Sequence, residues 1–212
     1  MWQPWPVSSD RPDTAPTLAE AVGGPLGIAE SALPAAAYVV AYTASGSNTK
    51  LAAGVAVGIA AVLAAARLIR RDTPRHALTG LIGVAIAAFV ATRTGRAEDY
   101  FLPGLLANAG WSIVFAASAL IRRPFVGVIL GMLDPRDRQW RRDPVRTRQF
   151  TRATWLWAGL FALRIVVQAP LYLAGAVVAL GVAKTAMGIP LFALGLWISY
   201  RLVRRPAPHP AA

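Results

Sequence analysis

Apolar residues in this chain run in unbroken blocks, without the alternation of surface strands or the narrow stripes of water-facing helices. Six blocks can be marked, over residues 24–44, 51–69, 77–92, 102–121, 153–173 and 183–203. Most approach the ~20 residues a helix needs to cross a ~30 Å hydrocarbon layer. The third is short and implies little tilt or a locally thinned bilayer. Backbone groups in lipid must be bonded internally, so a spanning segment is a helix or part of a closed barrel. Barrel strands alternate apolar and polar positions over about ten residues, and a run such as LAAGVAVGIAAVLAAA does not. The pattern therefore predicts an all-α polytopic membrane helical bundle of about six transmembrane helices.

Polar positions carry the next layer of information. Charged residues are 15% of the chain, against about 25% in soluble domains, and they collect between the blocks. The mean hydropathy is +0.48 and the net charge +12. Lys and Arg segregate sharply. One lies before the first block, four at and after the end of the second, nine between the fourth and fifth, and three at and after the end of the sixth, seventeen in all. In a six-span arrangement these regions share one side. The other side has Lys50, Arg93, Arg96 and Lys184, and Arg164 lies within a span. The positive-inside rule places the arginine-rich side and both termini in the cytoplasm of a bacterial cell membrane. A five-span arrangement would break the segregation. Because the basic residues flank apolar spans, they point to anionic lipid headgroups as partners, and no nucleic-acid-binding motif accompanies them.

The organisation around the spans follows. Residues 1–22 read as a flexible cytoplasmic tail, 23–204 as one transmembrane domain with a basic cytoplasmic loop over 122–152, and 205–212 as a disordered tail. The opening MWQPWPVSSDRPDTAP lacks the basic-then-apolar pattern of a secretory signal. Within the loop, Phe125, Val126, Ile129, Met132 and Leu133 share one helical face. This predicts an amphipathic helix in the headgroup plane, followed by a polybasic segment. Arg122, Arg123, Arg141 and Arg142 are the candidate lipid-surface contacts, with Trp140 as an interfacial anchor. An ordinary positive-inside loop is the plainer alternative. Gly54, Gly58, Ala61 and Ala65, and the shorter series Gly80, Gly83 and Ala87, predict faces of close helix packing.

Chemistry is sparse. With no cysteine in the chain, disulfides, thiolate catalysis and cysteine metal sites are excluded. No catalytic motif is present, so no catalytic residue, metal or cofactor is assigned. Ionisable groups within lipid are costly and are functional candidates by default. Glu30, near Pro34 in the first block, and Arg164 in the fifth are two such groups. Gln168 follows Arg164 by four residues on the same face, and Asn108 adds a polar group from the fourth block. The expectation is an interior polar cluster that either fixes helix register or lines a pathway for a solute or proton. A second cluster, Arg96, Glu98 and Asp99 in GRAEDYFLPG, lies on the other side of the membrane. Its carboxylates either ligate a hard cation or pair locally with Arg93 and Arg96 and end the helix.

Four blocks carry a family resemblance: GGPLGIAESALP, GRAEDYFLPGLLANA, RRPFVGVILG and TWLWAGLFALRIVVQAPLYLAG. They resemble an actinobacterial family of membrane proteins of unknown function. More remotely, FLPGLLANAGW, RRPFVGVILG, the Trp140–Arg141 pair, ATWLWAGLFALR and the stretch around Lys184 are similar to the intracellular septation protein A family. That resemblance implies a role in cell-envelope maintenance or division through contacts with other membrane proteins. Leu102 stands where that family has Lys before Pro103, the first span is more polar, and Arg164 has no counterpart there. Two functions are therefore expected: a non-enzymatic scaffold or interaction protein of the envelope, or a small-solute or ion transporter or channel using Glu30 and Arg164.

Overall fold

The computed structural model describes residues 24–69, 74–133 and 140–204, with side chains from residue 32 onward in the first helix and from residue 78 onward in the third. Among these residues the chain is all-α. The helices are α1 (Gly24–Ala44), α2 (Thr49–Ile69), α3 (Pro74–Thr94), α4 (Leu102–Leu120), α5 (Phe125–Leu133), α6 (Pro144–Leu173), α7 (Val177–Ala186) and α8 (Ile189–Val203). Two 3-10 turns, Ala97–Tyr100 and Trp140–Arg142, precede α4 and α6. Four units are long and apolar enough to cross a bilayer: α2, α4, α6, and α7 with α8 taken together. Shorter apolar stretches, Ala32–Ala44 and Leu78–Thr94, lie in α1 and α3. The chain is an integral membrane protein.

Short connections make successive helices antiparallel neighbours. Helices α1, α2 and α3 pack in sequence order, while α4, α6 and α8 form a second group centred on α6. Helix α7 touches both α1 and α6. One end of the bundle carries the exposed Arg122, Arg123, Arg141 and Arg142. The other carries the Ala97–Tyr100 turn. At that second end a buried cluster joins the groups: Tyr38 of α1, Ala52, Ala53 and Ala56 of α2, Ala87, Ala88 and Ala91 of α3, then Tyr100, Phe101, Val177 and Leu180. Nearer the arginine-rich end, Phe115, Trp157 and Ala158 form a separate core with Phe125, Val126, Phe161 and Leu196 around it.

Several boundaries and faces differ from the sequence reading. Helix α6 starts at Pro144, nine residues before the expected 153, because Asp143 caps it. The Asp143 carboxylate accepts from Val145 N (2.8 Å) and Arg146 N (3.3 Å), and Pro144 occupies the first turn, where its missing N–H costs nothing. The basic Arg146 lies inside this helix, buried, and donates to Val203 O at 2.6 Å, tying α6 to the end of α8. The last span begins at Val177, not 183, and is broken between α7 and α8.

Helix α5 does not lie free on a surface. Gly127 seats against Phe150, and Phe125 and Val126 pack on the second core. Val126 N donates to Thr154 Oγ1 at 3.3 Å. Only its far end, Met132 and Leu133, is strongly exposed. Trp140, expected as an interfacial anchor, is buried edge-on against Phe150. The expected small-residue faces are corrected at their glycines, while Ala87 is packed in the core as expected. A Cβ added at Gly54, Gly58, Gly80 or Gly83 would meet nothing within 4 Å. The close-packed stripe of α2 is instead Ala52, Ala53, Ala56, Ala60 and Ala64.

Candidate functional site

The break between α7 and α8 creates the site. Gly188 closes α7 so tightly that a Cβ there would lie 3.0 Å from Lys184 O and 3.2 Å from Thr185 O, both backbone atoms. Helix α8 then starts at Ile189, with Pro190 in its first turn. A helix start leaves N–H groups without intrahelical acceptors and carries a partial positive charge.

Beside this break is a cavity of about 510 Å³. Its polar lining comes from three helices, Asn108 of α4, Arg164 and Gln168 of α6, and Lys184 and Thr185 of α7, and Ile189 and Pro190 at the start of α8 complete that side. Ala32 and Ala35 of α1 and Phe101 supply apolar wall. Lys184, Thr185 and Pro190 are exposed and mark its mouth. By ~1.5 Å per helical residue, Lys184 lies ~10 Å and Arg164 ~14 Å in from the ends of α7 and α6 nearest the Ala97–Tyr100 turn.

Arg164 donates from Nη2 to Gly188 O at 2.8 Å and lies 5.9 Å from the Phe161 ring centre. Its Nε is buried without a hydrogen-bond partner among the described residues. Gln168, one turn on, is only 5% exposed and lines the same cavity. Asn108 donates to Gly104 O of its own helix at 2.9 Å. Lys184 lies 5.6 and 5.4 Å from the Tyr100 and Phe101 ring centres. The structure thus brings Arg164, Gln168 and Asn108 to one cavity. Glu30 is in α1, and its side chain lies outside the described residues.

The Arg96, Glu98 and Asp99 cluster forms a latch at the end of the bundle. Arg96 Nε pairs with Glu98 Oε1 at 2.8 Å. Glu98 raises the already high Arg96 pKa, first through that hydrogen bond and then through its charge, so Arg96 stays cationic. Asp99 turns the other way, is buried, and accepts from Tyr172 Oη at 2.5 Å. Tyr38 Oη donates to Ala97 O at 2.9 Å, and its ring stacks on Tyr100 at 3.9 Å between centres. Burial pushes the Tyr100 phenol up to about 12. Two chain segments distant in sequence, at Tyr38 and Tyr172, therefore converge on one 3-10 turn, which adjoins Phe101 in the cavity wall. Among the described residues no group of three His, Cys, Asp or Glu side chains is arranged to hold a metal.

Lys184 is the lining residue that sequence reasoning misplaced. Counting the span from 183 makes it a boundary charge. The apolar VVALGVA that precedes it puts it seven residues inside α7. The latch tyrosines Tyr38, Tyr100 and Tyr172 carry no local signal, since their partners lie up to 73 positions away.

Residues 22–210 match a family described as protein of unknown function DUF3159. No curated protein and no solved structure matches the chain.

Proposed function

This chain belongs to the DUF3159 family, whose function is unknown, and from that premise we propose that it is a small-solute transporter or channel of the bacterial cell membrane. The proposal takes α1, α2, α3, α4, α6 and the broken α7–α8 as six spans, with both termini and the arginine-rich end in the cytoplasm. One observation carries it: the cavity at a helix break, lined by a buried Arg164 Nε that no described group satisfies and by the largely buried Gln168. Buried polar groups are nearly always hydrogen-bonded, and an unsatisfied one costs about 1–3 kcal/mol. A scaffold gains nothing by keeping such groups open, whereas a solute site needs them. Discontinuous helices near the bilayer midplane are a recurring way to build substrate sites in transporters. The exposed Arg122, Arg123, Arg141 and Arg142, with Met132 and Leu133 of α5, suit the arginine-rich end to anionic headgroups.

Flux into proteoliposomes tests the reading, using a panel of anions, cations and neutral polar solutes. At least one class should cross with saturable kinetics, and Arg164→Met should abolish that flux. Flux equal to empty liposomes across the panel, together with normal cellular function of the Arg164→Met protein, would replace this reading with the envelope scaffold that the septation-family resemblance implies.

A further inference from the structure

The cavity is electrically one-sided. Arg164 and Lys184 both line it, and at the break itself the partly negative end of α7 and the partly positive start of α8 lie together. The acidic residues with described side chains are Glu98, Asp99 and Asp143, and none lines the cavity. Glu98 is bound to Arg96, Asp99 to Tyr172, and Asp143 caps α6 at the arginine-rich end.

Two cations at hydrocarbon depth with no described counter-charge are costly to hold empty. Arg164 has already committed one N–H to Gly188 O, and its Nε–H still lacks an acceptor. The carboxamide of Gln168 can add a further donor from the next turn. Charge-assisted N–H to oxyanion bonds are the strong ones, and helix N-termini favour the same ligand class.

Asn108 and Thr185 add neutral polar groups, and the rest of the side-chain wall is apolar: Ala32, Ala35, Phe101, Ile189 and Pro190. The exposed Lys184, Thr185 and Pro190 lie on a candidate span, a position that suits a mouth open to the bilayer better than one through a polar end of the bundle. We propose that the occupant is an amphiphilic oxyanion, a carboxylate or phosphate on an apolar body, which enters from the lipid phase and places its charge between Arg164 and Lys184. This deepens the transport reading and rests on it.

The test reads thermal unfolding of the full chain in zwitterionic nanodiscs. Octanoate should raise Tm, while octanol and octyltrimethylammonium, matched in length, should not. Replacing part of the zwitterionic lipid by phosphatidylglycerol distinguishes the sources: a shift with that lipid alone assigns the site to a headgroup phosphate, and a shift with octanoate assigns it to a free organic anion. Either supports the proposal. Arg164→Met should weaken the response about tenfold or more, the loss of a charge-assisted bond. Lys184→Met, at an exposed position, gives the same readout should Arg164→Met fail to fold, and Arg164→Lys should keep part of the response.

Equal shifts with octanol or octyltrimethylammonium would overturn the anion assignment and leave the transport reading standing. An undiminished octanoate response in both Arg164→Met and Lys184→Met would overturn it too. No shift with any probe would overturn it as well, and solute flux would then decide the transport reading separately.

Discussion

Tyr172 and Gln168 sit one helical turn apart on α6 and meet burial in opposite ways. The Tyr172 hydroxyl is used, donating at 2.5 Å to a buried Asp99. The Gln168 amide, 5% exposed, faces a cavity. The first arrangement is structural. Tyr172→Phe leaves the Asp99 carboxylate buried without that donor, and should lower unfolding stability in mild detergent by about 1–3 kcal/mol. An unchanged unfolding midpoint would mean that Asp99 finds another donor at no cost and that the latch is incidental. Arg164 falls between the two, with one donor bound to Gly188 O and one open.

At the scale of elements, helix contacts discriminate among glycines that look alike in sequence. A Cβ at Gly127 would stand 2.8 Å from Phe150 Cδ2. That ring is fully buried and braced by Trp140, so it has little room to yield. Gly127→Ala should therefore push α5 off α6 and cost about 1–3 kcal/mol. Gly54→Ala meets open space and should be neutral or stabilising by about 0.5–1 kcal/mol, the helical preference of Ala over Gly. The same unfolding measurement checks both, and a reversed order would contradict the packing described.

These glycines also show what the sequence could and could not convey. Block length and hydrophobicity made α2, α4 and α6 legible, because spanning lipid is a one-dimensional requirement. Arg164 and Gln168 were legible as a pair because helical periodicity puts them on one face. Which face of α2 is packed was not legible, since alanine at positions 52, 56, 60 and 64 has the same small-residue spacing as the glycines. The Gly188 break was signalled in the sequence by Pro190, where a broken helix is expected, although the run around it is long enough for a single span. Lys184 gains its meaning only once the fold places it in one cavity with Arg164.

At the scale of the whole molecule, two helix groups are clamped together around the Ala97–Tyr100 turn, and beside the α7–α8 break they leave a cavity lined by Arg164 and Gln168, with Arg164 Nε unpartnered among the described residues. A cavity lined by such groups trades stability for binding. Unfolding of Gln168→Leu in detergent, alongside its octanoate response in nanodiscs, tests this most directly. The account predicts a stability equal to or above that of the native chain, because an amide facing the cavity is replaced by an apolar group of similar size, together with a weakened ligand response. A marked loss of stability with the ligand response intact would show that Gln168 is a packed structural residue, contrary to the account.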